Sequence, residues 1–574
     1  MRQALFILPL FMLLLAVIYL FSPHLGGRTA AERFLDRQTL LLLNQKNLTA
    51  RLDDFFTTRL GRTLTTLDYP EILNDLNVAQ EKSELLEQLI HLAAVARHDP
   101  MVRSVLGRDL TIALTPFELR PEEPLLRQLV EHTIVICRPK RAAHALELVR
   151  RISSPAVIED SLYGAYVIKR FRFNNDFNLA AAQVQSSVII TADERVLRRC
   201  LDRFDNRNQS LLADPHYLSE RKTFNGASSF AYASIGGLTR LLAQLRSDSS
   251  GGAPSRIFSA EDTAGLYQRA MAGGWNDART GTVKAVLCFD PQRVPAPLQS
   301  LYTMLPGQTR SSQRLPADTI WYYWSNNYPA ATILELLRRQ LNQEQLHRLQ
   351  SLFHELKRST GVDMETAIGW LENDLSVAIK KSPDRELVPI PLVLTAMKCS
   401  SPERIGPFIQ RLIDHYQVPI RRRSVDSWEV LSWGDVAPMG AFEPSLALYQ
   451  EYLLLANNFR QIKEFITARQ GPDRLDTSWR FRQVAHGFTD ANNSLLYINL
   501  AELTGQLKEL VSWAGVMLAL KDPAMANQAT IIIDRLINPI LDGLTMYQVI
   551  GSRKTLKDNH VIIEALTVID HEHN

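Results

Sequence analysis

At 574 residues the chain is long enough for two domains of ordinary size. A hydrophobic content of 46% with 22% charged residues belongs to a folded globular protein, and a formal net charge of +3 is too small for this length to argue for nucleic acid. The four cysteines, Cys137, Cys200, Cys288 and Cys399, include no CxxC, which excludes zinc-ribbon and thioredoxin-like readings and calls for no disulfide framework.

The chain opens on Ala4–Phe21, an apolar run without a charge. As a helix it would reach roughly 27 Å, close to the hydrocarbon thickness of a bilayer. Tyr19, Leu20, Phe21, Ser22 and Pro23 supply no small-x-small cleavage site. The run therefore predicts an uncleaved, single-pass transmembrane anchor over residues 1–24, with a buried core helix as the alternative. Arg28, Arg33 and Arg37 after the run, against Arg2 before it, weigh toward a cytoplasmic C-terminal side. Long domains are nevertheless exported largely regardless of nearby charge. The expected location is a bacterial cytoplasmic (inner) membrane, with the bulk of the chain extracytoplasmic or periplasmic. Residues 25–37, with Gly26 and Gly27, read as a tether.

From residue 38 the chain says everything twice. The strand-like QTLLLLNQKN at Gln38–Asn47 returns as DTIWYYWSNN at Asp318–Asn327, Thr39 matching Thr319 at an offset of 280. GRDLTIAL, Gly107–Leu114, returns as ENDLSVAI, Glu372–Ile379, with Asp109 matching Asp374 at 265. Pro139 then aligns with Pro402 and Val167 with Val430, both at 263, and Ala192 with Ala456 at 264. Asp193 and Asn457 or Asn458 stand where a helix N-cap is wanted, and Cys200 falls opposite Phe465 on the helix that follows. Tyr232 matches Tyr497 at 265, and Val283 matches Val561 at 278. An offset this long, kept through elements in one order, indicates two whole domains rather than a solenoid. The boundaries read as a first unit over 38–290, a Pro-rich linker over 291–316 and a second unit over 317–574. Consecutive strands without intervening helices argue for α+β units with mostly antiparallel sheets and packed amphipathic helices, two duplicated lobes behind a transmembrane helix.

Signatures of common chemistry are missing: there is no GxGxxG, Walker loop, HExxH or GxSxG. Ser219 to Lys222 spells SxxK without the KTG that accompanies it in penicillin-recognising enzymes. Asp109 and Asp374 invite a paired-carboxylate reading, since two close carboxylates can split acid and base roles; the alternative is that each bonds local backbone at a turn. His91 with His98, and His571 with His573, are loose metal candidates against packing or solvation. Arg421, Arg422 and Arg423, and separately Arg138, Lys140 and Arg141, could meet an anionic lipid or polymer, or simply guard a strand edge. In the aromatic strand, Trp321 and Tyr323 share one face and Tyr322 and Trp324 the other, so one face could stack on a sugar or lipid chain while both could also pack in the core. Leu510–Leu520 is an apolar run too short to span a bilayer and is expected to be a buried helix.

An N-terminal apolar segment, PADT at Pro316–Thr319, the twice-used D-L-[ST]-[IV]-A strand, the A-[DN] turn into a helix and the [FL]-x-Y strand together resemble a bacterial family of membrane-anchored envelope proteins known only as a domain of unknown function. That resemblance implies an envelope protein and carries no catalytic residues with it. The reading is a non-catalytic binding or scaffold protein, with Trp321, Tyr323, Arg421, Arg422 and Arg423 as candidate contacts. Its expected partners are the membrane, through residues 4–21, and an envelope protein or lipid. No catalytic, cofactor or metal residues are assigned. The alternative is a lipid- or glycan-handling protein with a groove between its lobes; an enzyme built on the paired aspartates comes third.

Overall fold

The computed structural model describes residues 31–76, 103, 108–120, 122–138, 157–174, 177–247, 265–277, 279–381, 389–434, 442–468, 473–521 and 523–570. Its chain divides at Asp290 into two compact units.

In the first unit the strands are β1 (Leu41–Lys46), β2 (Asp109–Leu114), β3 (Thr133–Arg138), β4 (Val157–Tyr163), β5 (Tyr166–Asn174), β6 (Phe177–Val184), β7 (Ser187–Thr191), β8 (Ser229–Ala233), β9 (Tyr267–Asn276) and β10 (Thr280–Phe289). They form one antiparallel ladder in the order β4-β5-β6-β7-β3-β2-β1-β8-β9-β10. Its helices are α1 (Leu48–Thr57), α2 (Arg59–Thr66), α3 (Tyr69–Asp75), α4 (Leu125–Glu131), α5 (Glu194–Asp205), α6 (Pro215–Arg221) and α7 (Ile235–Ser247).

The second unit has β11 (Thr319–Ser325), β12 (Leu371–Lys380), β13 (Leu392–Cys399), β14 (Ile420–Val425), β15 (Trp428–Trp433), β16 (Ser445–Tyr449), β17 (Tyr452–Ala456), β18 (Ser494–Asn499), β19 (Tyr547–Lys557) and β20 (His560–Ile569). These run β14-β15-β16-β17-β13-β12-β11-β18-β19-β20, again antiparallel throughout. Its helices are α8 (Gln299–Thr303), α9 (Ala330–Gln340), α10 (Gln343–Thr360), α11 (Met364–Ile368), α12 (Pro402–Tyr416), α13 (Phe459–Thr467), α14 (Trp479–Val484), α15 (Leu500–Lys521), α16 (Pro523–Ile532) and α17 (Asn538–Leu544).

Both ladders have the same order, and the registers agree pair by pair. Leu42 faces Ala113 and Tyr232, as Tyr322 faces Ala378 and Tyr497. Ile136 faces Thr111 and Ile189, as Ala396 faces Ser376 and Leu454. The β6–β7 and β16–β17 hairpins both turn through a glutamine with positive φ, Gln185 at 55° and Gln450 at 55°, which suits the right-handed strand twist.

One face of each ladder makes the core. In the first unit Leu42, Ala113, Ile134, Ile168 and Ile189 meet Val196, Leu197 and Cys200 of α5. In the second Tyr322, Ala378, Leu394, Val430 and Leu454 meet Ile462, Phe465 and Ile466 of α13. Asp193 caps α5 by accepting from the Arg195 amide, and Asn458 caps α13 by accepting from Arg460.

Three expected alignments shift. Val430 corresponds to Ile168, both buried, whereas Val167 is exposed on the opposite face. Ala456 corresponds to Thr191, and Val283 to Ile563. A slip of one residue turns a side chain to the other face, so the ladder decides what letter matching cannot.

The expected architecture of a membrane-spanning helix ahead of two lobes is corrected to a mixed α+β fold in each unit: no helix among the described residues is long and apolar enough to cross a membrane. Ala4–Phe21 itself lies outside the described residues. The long helix α15 carries Glu502, Lys508 and Glu509, which leaves an uncharged stretch of only about 17 Å from Leu510 to Leu520. Pro291–Pro316, expected as a linker, is docked on the second unit: Gly307 and Asn492 exchange backbone hydrogen bonds at 2.8 and 2.7 Å, and the Asn326 amide donates to Leu305 O at 3.0 Å.

Candidate functional site

Strand β11 sets the second unit's two faces. Tyr322 and Trp324 point into the core and are fully buried. Trp321 and Tyr323 point the other way, half-buried, their rings stacked with centroids 6.1 Å apart. Across the ladder their neighbours are Ile379 and Val377 on β12, and Ile498 and Leu496 on β18. The same face continues through Val393 and Thr395 to Leu455. A shallow cavity of about 330 Å³ opens there, walled by Trp433 and Phe442. The described residues of this surface offer apolar and aromatic contact.

The three arginines sit on the edge strand β14 and differ in commitment. Arg422 pairs with Glu429 at 2.9 Å and donates to Gln410 at 2.6 Å. Arg423 makes a two-pronged bond to Glu443 at 2.9 and 2.6 Å and lies over the Phe459 ring at 4.5 Å. Arg421 is exposed opposite Ser432. Glu443 is buried, so Arg423→Ala strands a carboxylate and is expected to cost about 1–3 kcal/mol, against less than about 0.5 kcal/mol for Arg421→Ala. Urea midpoints of the two variants check this, and equal midpoints would contradict it.

Each aspartate finds its partner inside its own unit, in a side chain across the ladder rather than in local backbone. Asp109 begins β2 and meets Arg138 of β3 at 3.5 Å. Burial raises its carboxyl, while Arg138 and Lys46 pull it back down. Burial likewise lowers Lys46, whose Nζ donates to Ala227 O at 2.6 Å.

Asp374 of β12 accepts from the Trp324 indole at 3.1 Å. Burial pushes its carboxyl up to about 6, with Trp324 and Lys398 opposing. Beside it Ser311 Oγ joins Tyr322 Oη at 2.8 Å and accepts from Ser376 Oγ at 2.7 Å, a buried hydroxyl chain. The carboxyl can exchange a proton near neutral pH, but the group in its reach is an indole donor, and the surroundings hold it in place.

Ser219 of the SxxK donates to His216 O at 2.9 Å, a local helix bond. His91, His98, His571, His573, Lys140 and Arg141 lie outside the described residues.

A surface that the sequence reading missed is on α15. Leu510–Leu520, expected to be buried, leaves Val516 60%, Met517 48% and Leu520 77% exposed. With half-buried Trp513 they recur at helical spacing on one face. The correction has a simple cause. The run is apolar nearly all round, and the chain at Ile533 approaches it closely at Gly515, where a Cβ would sit 2.7 Å from the Ile533 side chain.

A family model described as "Protein of unknown function (DUF3352)" matches residues 102–530, most of both units. No curated protein matches the chain. Two solved structures, crystal forms III and I of TP0453, are similar at 9% and 8% identity with TM-scores of 0.24 and 0.23. The alignments cover 48% of this chain and 86% and 84% of TP0453, and likeness at that level carries no argument.

Proposed function

The chain belongs to the DUF3352 family of proteins of unknown function, and from that footing we propose a non-catalytic binding or scaffold protein of the bacterial envelope that docks its partner on the apolar stripe of α15. The carrying observation is the exposure of Val516, Met517 and Leu520 on one helical face. Burying what is still exposed of these side chains against a partner returns on the order of 1–2 kcal/mol each, so together the three can form the apolar centre of an interface. The identical strand orders and the matching registers at the centre of each ladder support descent of the two units from a tandem duplication. An extracytoplasmic location, with Ala4–Phe21 in contact with the membrane, completes the proposal; fractionation and protease protection of the native protein test it.

The double variant Val516→Glu with Leu520→Glu is expected to abolish recovery of the partner after crosslinking in the native membrane. Its thermal midpoint should stay within about 2 °C of the parent, because exposed positions contribute little to stability. Undiminished recovery would remove the stripe from the account. A second reading, a lipid- or glycan-handling protein, draws support from the stacked Trp321 and Tyr323 on the half-covered sheet face.

A further inference from the structure

Helices α9, α10 and α11 surround a cavity of about 680 Å³. It is an open cleft whose apolar wall is carried by Leu346, Phe353 and Met364, each half-buried. The α10 wall stands on its own local bonds. Asn342 and Gln345 form a complete capping box, with bonds of 2.8 and 3.1 Å, and Gly361 ends the helix at φ 74°. Arg411 ties that end down by donating to Thr360 O at 2.6 Å. The cavity is therefore preformed, and its size lies in the range of small-molecule sites.

Its lining is divided by chemistry. Leu346, Phe353 and Met364 supply the apolar part, and Arg338 and Lys357 supply cations. The Arg338 guanidinium sits 5.4 Å over the Phe353 ring and pairs with Glu365 at 2.5 Å; Lys357 pairs with Asp363 at 2.9 Å. Both acids are on the wet side, Glu365 59% and Asp363 50% exposed, whereas Arg338 is only 29% exposed. Pairs this exposed are worth about 0–1 kcal/mol, so a ligand anion can replace the protein carboxylates at little cost while Arg338 stays on its ring.

We propose that this cavity binds a single-chain amphiphile with an anionic head, a carboxylate or a phosphate, its chain on Leu346, Phe353 and Met364 and its head on Arg338 and Lys357. The test is calorimetric titration of the full chain with dodecanoate, dodecyl phosphate and dodecyltrimethylammonium, each below its micelle concentration. Saturable binding of at least one anionic probe is expected, and the tighter one identifies the head group. Arg338→Ala should weaken it at least tenfold, and Leu346→Trp, which narrows the apolar end without touching the charges, should also weaken it at least tenfold. The α15 double variant should bind like the parent, which separates this site from the proposed docking stripe. The proposal is overturned if neither anionic probe saturates, if the cationic probe binds as tightly, or if both cavity variants bind unchanged while folded by circular dichroism.

Discussion

Replacing Trp324 by alanine is expected to lower the unfolding free energy of the second unit by about 3–5 kcal/mol, the loss typical of a large buried aromatic. The ring is fully buried at the centre of the ladder, with Ser376 and Leu495 as its cross-strand neighbours. The indole also supplies the hydrogen bond that stabilises the Asp374 carboxylate. Its removal therefore acts twice, through a cavity and through a buried charge left without its donor. The second effect depends on protonation, so the loss should be larger at pH 7.5 than at pH 5. Trp321→Ala on the half-covered face should cost less, since that ring already meets solvent. Denaturation followed unit by unit, with the first unit as internal reference, makes the comparison, because a two-unit chain has no single two-state transition. Equal losses for the two tryptophans would show that the assignment of faces is wrong.

The second large effect is a gain. Burial lifts the Asp374 carboxyl from 3.8 to about 6. Between those values the folded protein binds a proton that the unfolded chain has released, so stability falls as pH rises through that window. The cost is absent below about pH 4 and complete above about pH 6, where it amounts to at most about 3 kcal/mol. Asp374→Asn keeps an acceptor for the Trp324 indole and removes the charge. It should therefore stabilise the second unit above pH 6 by up to that amount and leave it unchanged near pH 4. Midpoints of denaturation across pH 4–8 decide the matter; a variant less stable than the parent at pH 7 would mean that Trp324 and Lys398 outweigh the cost of burying the charge.

The repeated order of elements was legible because the D-L-[ST]-[IV]-A strands sit in the middle of each ladder, where both neighbouring strands constrain the residue types. Register was less so. In Val167–Ile168 both residues are apolar, so letters alone cannot say which one faces the core, and the match to Val430 slipped by one. The partition of Trp321 and Tyr323 from Tyr322 and Trp324 followed from strand alternation, but how far each face is covered depends on helices distant in the chain. Arg423 finds Glu443 twenty residues on, beyond any local pattern. The α15 stripe and the cavity under α9 and α10 share a deeper obstacle: both consist of contacts that the fold does not make, and a sequence read one residue at a time shows only which contacts are possible.

A photocrosslinking residue placed at Val516 or Leu520, illuminated in the native membrane, tests the account most directly. The prediction is an adduct of one defined mass at both positions and none from Gln343, an exposed polar position on α10. Labelling at Gln343 equal to that at the stripe, or no adduct at either stripe position, would contradict it.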